Sequence, residues 1–177
     1  MAGENRLEKG LVHVYSGDGK GKTTAALGLA LRAAGQGLKV IFIQFMKGDP
    51  DCGEHRFVAK YQPFEMVQLH QGDVFKKPKE QLKREAAETF AYAEKMVTSD
   101  KHDLVVLDEA LVAVREGLLT AQQLVELIRK KPARVELVLT GRGAPPEVVK
   151  EADLVTEMLM IKHPYVSGEK ARRGIEY

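Results

Sequence analysis

Ser16-Gly17-Asp18-Gly19-Lys20-Gly21-Lys22-Thr23-Thr24 is a glycine-rich run that carries two lysines, three hydroxyls and a carboxylate. Its spacing comes close to G-x-x-x-x-G-K-[ST], the pattern of a loop that binds nucleotide phosphates. Backbone N–H groups at a helix N-terminus donate to phosphate oxygens, and the helix dipole favours the negative charge. Glycines let the backbone close around the anion. Lys22 is then the residue that reaches the terminal phosphates, and the Thr23 hydroxyl is a Mg²⁺ ligand. The first glycine of the pattern belongs at position 16, where this chain has serine; glycine arrives at position 17. Ser16 carries a Cβ and resists the positive-φ conformations open to glycine. Asp18 places a carboxylate where phosphates approach, and Lys20 adds a compensating cation. The loop is expected to bind a polyphosphate, in an orientation that spacing leaves open.

Asp108-Glu109 closes the apolar run "DLVVLDEA". In a phosphate-loop protein such an acidic strand end holds Mg²⁺, directly or through water. Either carboxylate can be the ligand, and Glu109 can alternatively activate water in a hydrolase. Arg142 follows a third apolar run, and its planar fork suits a phosphate oxygen as well as it suits solvent. Lys162, His163, Lys170, Arg172 and Arg173 form a basic cluster near the C-terminus that reads as a charged, solvated tail. The five histidines show no metal-ligand spacing. Cys52 has no indicated catalytic partner and reads as a loop thiol.

These groups need elements to bring them together. Leu11 to Tyr15 reads as a strand that runs into the glycine loop, and Lys22 to Ala34 as a helix ended by Gly35 and Gly37. Leu38 to Phe45 is a buried strand, and Phe64 to Leu69 a shorter one. A long helix spans about Lys79 to Thr98, with Leu82, Ala86, Phe90, Ala93 and Val97 at helical spacing. Leu104 to Leu107 is a strand. Thr120 and Gln123 form a capping-box pair for a helix with Leu124, Leu127 and Ile128 inside. Val135 to Leu139 is a strand, Pro145-Pro146 starts a short helix, and Leu154 to Ile161 is a last strand. Strands that alternate with helices imply a parallel sheet covered on both faces. Ligands of such sheets sit beyond the carboxyl ends of the strands. The glycine loop, Asp108-Glu109 and Thr140-Gly141-Arg142 all follow strands directly, so they line one edge.

The chain has 177 residues, suited to a single domain with a proper core. Residues 1–10 read as a short N-terminal tail. A net charge of +2 gives no electrostatic case for nucleic acid. One cysteine fits a reducing compartment. "MAGENRLEKG" lacks the apolar core of a signal peptide, and no apolar run approaches the ~20 residues of a membrane span. A cytoplasmic protein without membrane partners is expected.

"SGDGKGKTTAALGLALRAAGQG", "VIFIQFMKG", "LVVLDEA", "LVLTGRGAPPE", "ADLVTEM" and "KHPYVSGEKARRGIEY" resemble successive motifs of the phosphate-loop ATP:corrinoid adenosyltransferases. The resemblance runs from about Gly10 to Tyr177. It implies a three-layer α/β/α phosphate-loop NTPase-like (RecA-like) fold, with a mostly parallel sheet of about six strands. It also implies transfer of the 5′-deoxyadenosyl group of ATP. The Co(I) centre of a reduced corrinoid, cobalamin or cobyrinic acid a,c-diamide, attacks the ribose C5′, and triphosphate leaves. The family holds ATP reversed relative to most phosphate-loop enzymes. Such a use accounts for a non-standard loop: its donors stabilise the departing charge, and orientation aligns C5′ with cobalt. By the resemblance, Gly17, Asp18, Gly19, Lys20, Gly21, Lys22 and Thr23 cradle the triphosphate, with Thr24 alongside. Lys22 neutralises charge. Thr23 and Glu109 hold Mg²⁺ or Mn²⁺, with Asp108 behind. Arg32 matches an arginine near the nucleotide. A homodimer and a flavodoxin-type or other reductase are the implied partners.

The sequence departs from the family in two places. Some members carry Gly-Phe-Thr-Trp in a loop whose aromatics displace the lower cobalt ligand. The matching stretch here is Gly72-Asp73-Val74-Phe75, with Asp73 in place of one aromatic. Phe75, Tyr61 and Phe64 are the candidate corrinoid contacts; otherwise the corrinoid lacks a strong lower ligand. Some relatives also have a longer basic N-terminal segment over the site. With about ten residues before the first strand, that cover is expected to be reduced or absent. Apart from the resemblance, the loop and acidic strand end fit a small kinase or RecA-like ATPase equally well. They also fit a non-enzymatic nucleotide-dependent corrinoid carrier.

Overall fold

The structure, a computed structural model, describes residues 6–49 and 51–177, without the Phe75 side chain. Six strands are formed: β1 Val12–Ser16, β2 Val40–Gln44, β3 Glu65–Val67, β4 Leu104–Asp108, β5 Glu136–Thr140 and β6 Leu154–Glu157. They make one sheet in the order β3-β2-β4-β5-β1-β6. Every pairing among the described residues is parallel. The helices are α1 Lys22–Gly35, α2 Gly53–Tyr61, α3 Lys79–Thr98, α4 Ala110–Arg115, α5 Ala121–Lys130 and α6 Pro146–Glu151.

Period-two alternation along each strand divides the core into two layers. Val40, Phe42, Leu104, Val106 and Val138 face Ala26, Ala30 and Ala33 of α1. Ile41, Ile43, Val105, Leu107, Leu137 and Leu139 face the other way, onto α3, α4, α5 and α6. The central strands β2 and β4 are buried at every position, as required of parallel strands covered on both faces. The expected three-layer α/β/α arrangement is therefore present. The α3 face and the Thr120–Gln123 capping box are as read from periodicity and spacing.

The structure adds to or departs from the sequence reading in three places. The stretch after β2 contains α2, which its short, polar sequence had not announced. The last strand stops at Glu157, because Met158 leaves the sheet to lie against the glycine loop: its N–H donates to the Ser16 carbonyl, and its carbonyl accepts from the Gly19 N–H at 2.7 Å. The candidate corrinoid contacts Tyr61 and Phe64 lie away from the carboxyl edge of the sheet. Phe64 precedes β3 and packs on Phe42 with ring centroids 6.5 Å apart, within the α1-side core. Tyr61 ends α2, exposed, against Phe57 and beneath Lys60. The backbone of Phe75 forms a short 3-10 turn, Val74–Lys76; its side chain is outside the described residues.

Candidate active site

Four apolar strands end on a buried polar side chain: Ser16 on β1, Gln44 on β2, Asp108 on β4 and Thr140 on β5. A strand interior cannot hold such groups, because a buried polar atom without a partner costs about 1–3 kcal/mol. At the carboxyl edge they pair with one another. Asp108 has no exposed surface, yet both of its oxygens are fully used. Oδ1 accepts from Thr23 Oγ1 at 2.9 Å and Thr140 Oγ1 at 2.7 Å. Oδ2 accepts from Gln44 Nε2 at 3.1 Å and faces Lys47 Nζ at 2.8 Å. Gln44 must turn its amide nitrogen to the carboxylate, so its carbonyl faces His55 Nε2, which then carries the proton. Burial pushes the His55 pKa down, consistent with a neutral ring.

The position of Ser16 explains the altered loop. Ser16 is still strand, and its hydroxyl accepts from the Ala144 N–H at 3.2 Å, tying the loop to the segment after β5. The chain turns only at Gly17, with φ +96°, where a Cβ would lie 2.4 Å from the Met158 carbonyl oxygen. Glycine is therefore needed at 17 and not at 16. Gly19 is equally confined: a Cβ there would meet the Leu159 carbonyl at 2.6 Å. Lys22, at the start of α1, donates to the Gly17 and Gly19 carbonyls, each at 2.7 Å. Burial lowers its pKa, opposed chiefly by Glu109.

Glu109 follows Asp108 in a left-handed backbone conformation, φ 61°, a geometry that costs a non-glycine residue of order 1 kcal/mol or more. Its side chain lines the cleft, while its N–H is anchored on Thr140 Oγ1 at 3.0 Å. Burial raises the Glu109 pKa, helped by Asp108 and opposed first by Lys47. Lys47 also stands 3.5 Å from Thr23 Oγ1 and 3.8 Å from Glu54. Burial is the largest influence and opposes its charge, but Asp108, Glu54 and Glu109 together outweigh burial and keep its pKa above the ordinary lysine value.

Two clefts open on this edge. One, of about 540 Å³, is lined by the loop from Asp18 to Thr24, by Lys47, Glu54, Glu109 and Arg142, and by the C-terminal segment. The second, of about 760 Å³, has Met46, Val74, Leu82, Val112 and Leu118 on its walls and Lys77, Lys79 and Arg115 among its lining residues. Lys47, Glu109 and Arg142 line both. Arg142 is half exposed, 3.9 Å from Asp18. Arg32 is not brought to this group: it sits exposed in the last turn of α1, ten residues past Lys22 or roughly 15 Å along the helix axis.

Lys20 has a different neighbour from the one its sequence suggests. Its ammonium holds the Ile175 carbonyl and Glu176 Oε1, both at 2.9 Å, so residues 174–177 strap over the loop. Within the basic cluster, Arg172 is paired with Glu176. Hydrogen bonds from the Arg172 side chain, from Lys20 and from the Arg172 N–H hold the Glu176 carboxyl at about 2, against an ordinary 4.5. A depressed carboxyl stabilises the strap in full above its ordinary value, and this contribution is lost progressively as pH falls from about 4.5 through about 2. Salt, which screens exposed pairs, should loosen the strap near neutral pH, where the carboxyl stays ionised. A carbon-13 titration of the Glu176 carboxyl should have its midpoint near 2; a midpoint near 4.5 would show the latch open in solution.

Thr23, Asp108 and Glu109, expected at the site, are thus assembled at one edge with Lys22, Lys20 and Arg142. Sequence reasoning missed Gln44, Lys47, Glu54 and the side-chain role of Thr140. The rule that singled out Asp108, a polar residue closing a buried strand, applies unchanged to Gln44 in "VIFIQFMKG".

Residues 8–177 match the family described as ATP:corrinoid adenosyltransferase BtuR/CobO/CobP. A corrinoid adenosyltransferase of Pseudomonas aeruginosa is 37% identical over 175 residues, covering 97% of this chain and 86% of that one. One from Escherichia coli K12 is 33% identical, covering 96% and 87%. Among solved structures, a KaiC-like protein of Pyrococcus horikoshii superposes with a TM-score of 0.58 at 19% identity, over 85% of this chain and 74% of that one. This last likeness speaks to the fold alone.

Proposed function

The chain belongs to the ATP:corrinoid adenosyltransferase family, and on that premise we propose how its own residues carry out the transfer. The enzyme adenosylates corrinoids with ATP as co-substrate. The observation that carries the assignment of sites is the pair of adjoining clefts that share Lys47, Glu109 and Arg142. The glycine-loop cleft takes the triphosphate, on the N–H groups at the start of α1 with Lys22, Lys20 and Arg142 as cations. The broader groove, with its apolar walls and basic residues, takes the corrinoid. The ribose C5′ then lies at the shared border.

Thr23 and Glu109 are the residues that would hold Mg²⁺ or Mn²⁺. Oxygen donors suit these hard cations, which usually take one or two carboxylates plus substrate phosphates. Triphosphate oxygens would supply the remaining ligands. Asp108 has its lone pairs occupied and acts by orienting the Thr23 hydroxyl. A bound cation would neutralise triphosphate charge.

Chemically, the Co(I) of the reduced corrinoid substrate donates an electron pair to C5′. The C5′–O5′ bond breaks, and its electrons leave on triphosphate. Neither partner needs a proton moved, so the protein's work is to align the reactants and to place cations and N–H donors on the leaving group. The test is an anaerobic incubation with chemically reduced cobalamin and MgATP. A light-sensitive cobalt–carbon product and intact triphosphate are expected in equal amounts. ADP without such a product would replace this reading with phosphoryl transfer.

The open edge of β6 and the exposed Leu159, Met160, Ile161, Tyr165 and Val166 support a homodimer through this side. A flavodoxin-type or other reductase is the proposed source of Co(I), and the cytoplasm the proposed compartment. Among the described residues no helix is long and apolar enough to cross a membrane.

A further inference from the structure

We infer that Lys47 is a built-in competitor for the divalent cation: its ammonium lies against the hydroxyl of Thr23, one of the two proposed metal ligands, so the metal binds tightly only when it arrives with triphosphate. The inference rests on the reading that Thr23 and its neighbours hold a metal. Three oxygen donors surround the Lys47 ammonium: Asp108 Oδ2 at 2.8 Å, Thr23 Oγ1 at 3.5 Å and Glu54 Oε1 at 3.8 Å. The Thr23 hydroxyl proton is given to Asp108 Oδ1, so its lone pairs face the cleft, and Lys47 lies against them. A cation that ligates Thr23 must share or take this position. Two positive centres a few ångströms apart repel, and the neighbouring carboxylates are already partly neutralised by the ammonium.

Triphosphate reverses the balance. Its oxygens supply further metal ligands and give the displaced ammonium an anionic partner within the same cleft, which Lys47 lines. Lys47 comes from the loop after β2, whereas Lys22 belongs to α1. Its side chain lines the second groove as well, so the displaced amine has room on either side. By linkage, a residue that disfavours metal alone but not metal with nucleotide makes the two ligands mutually dependent. Lys47 therefore acts as a positioning residue that couples the cation to the substrate.

The experiment uses the full chain and Mn²⁺ as the probe, followed by electron paramagnetic resonance with and without ATP. Wild type should bind Mn²⁺ at least about tenfold more tightly with ATP than without. Lys47→Met should gain about tenfold in nucleotide-free Mn²⁺ affinity, and Lys47→Arg should stay weak. Lys47→Gln keeps a hydrogen-bonding head and replaces the methionine variant if that one does not fold. Unchanged nucleotide-free Mn²⁺ affinity in a folded neutral variant that still binds Mn²⁺ with ATP would overturn the inference. So would wild type binding Mn²⁺ equally well without ATP. If wild-type ATP binding needs no divalent cation, the metal-site reading itself fails, a pattern distinct from either.

Discussion

Lys22→Ala should abolish detectable triphosphate binding and lower adenosyl transfer by about 10²–10³-fold, the usual effect of removing one preorganised stabiliser of developing charge. The argument rests on where the ammonium is already held. Lys22 is only 7% exposed and is clamped by the Gly17 and Gly19 carbonyls, so it is aimed into the loop before any ligand arrives. A charge positioned in advance needs no reorganisation as the leaving group departs. Its loss should also slacken the loop, since two carbonyls lose their shared donor. The α1 helix begins at this residue but is packed through Ala26, Ala30 and Ala33, and the domain should still fold. The check is kcat/KM for ATP with reduced cobalamin, beside a thermal melt. Activity within tenfold of wild type, with normal ATP affinity, would remove Lys22 from the leaving-group role.

Asp108→Ala should cost about 3 kcal/mol of folding stability, even without ligand. Removing one member of a buried charged pair costs about 3–5 kcal/mol, because the other charge is stranded. Lys47 keeps about a quarter of its side-chain surface in contact with solvent, which favours the lower end. Thr23, Thr140 and Gln44 each lose an acceptor as well. At roughly 2–4 °C per kcal/mol for a domain of this size, the melting temperature should drop by roughly 10 °C. The double variant Asp108→Ala with Lys47→Met should recover part of that loss, since no unpaired ammonium remains. Calorimetry or a denaturant titration of the single and double variants checks both statements. A loss below about 1 kcal/mol for the single variant would mean that water replaces the carboxylate easily, and that the cluster is not what holds this sheet edge together.

Much of this architecture was legible before any coordinates. Apolar runs in alternation with amphipathic segments required a parallel sheet between helices, because only that arrangement buries strands on both faces. The long helix Lys79–Thr98 and the capping box of α5 followed from periodicity and from reciprocal hydrogen bonds between residues three apart. Those are local rules, and they survive without tertiary context. The glycine loop, Asp108, Glu109 and Arg142 could be assigned to one edge for a similar reason: each comes directly after a strand, and all the strands point the same way. The motifs also carried the family, because they run in order along nearly the whole chain.

Other features depended on contacts between residues far apart in the chain. Asp108 and Glu109 are adjacent in sequence, yet one is sealed by four partners and the other lines the cleft. Only the packing of β2, β4, β5 and α1 against each other assigns those roles. Lys47 drew no reading from the sequence, and the fold sets it beside Asp108, 61 positions away by residue number. Arg32, Tyr61 and Phe64 show the opposite case, placed apart from the glycine-loop cleft. Each has a suitable side chain, but helix rise and strand direction carry it away from the carboxyl edge. The serine at position 16 is the clearest case. Sequence alone marked it as a departure, whereas the structure shows an extended residue bonded to Ala144, with the turn displaced to Gly17 because Met158 packs there. Residue type and local spacing determined which elements form and which groups follow them. Long-range packing decided which of those groups share a cleft, since distance in space is set by the sheet order and not by distance along the chain.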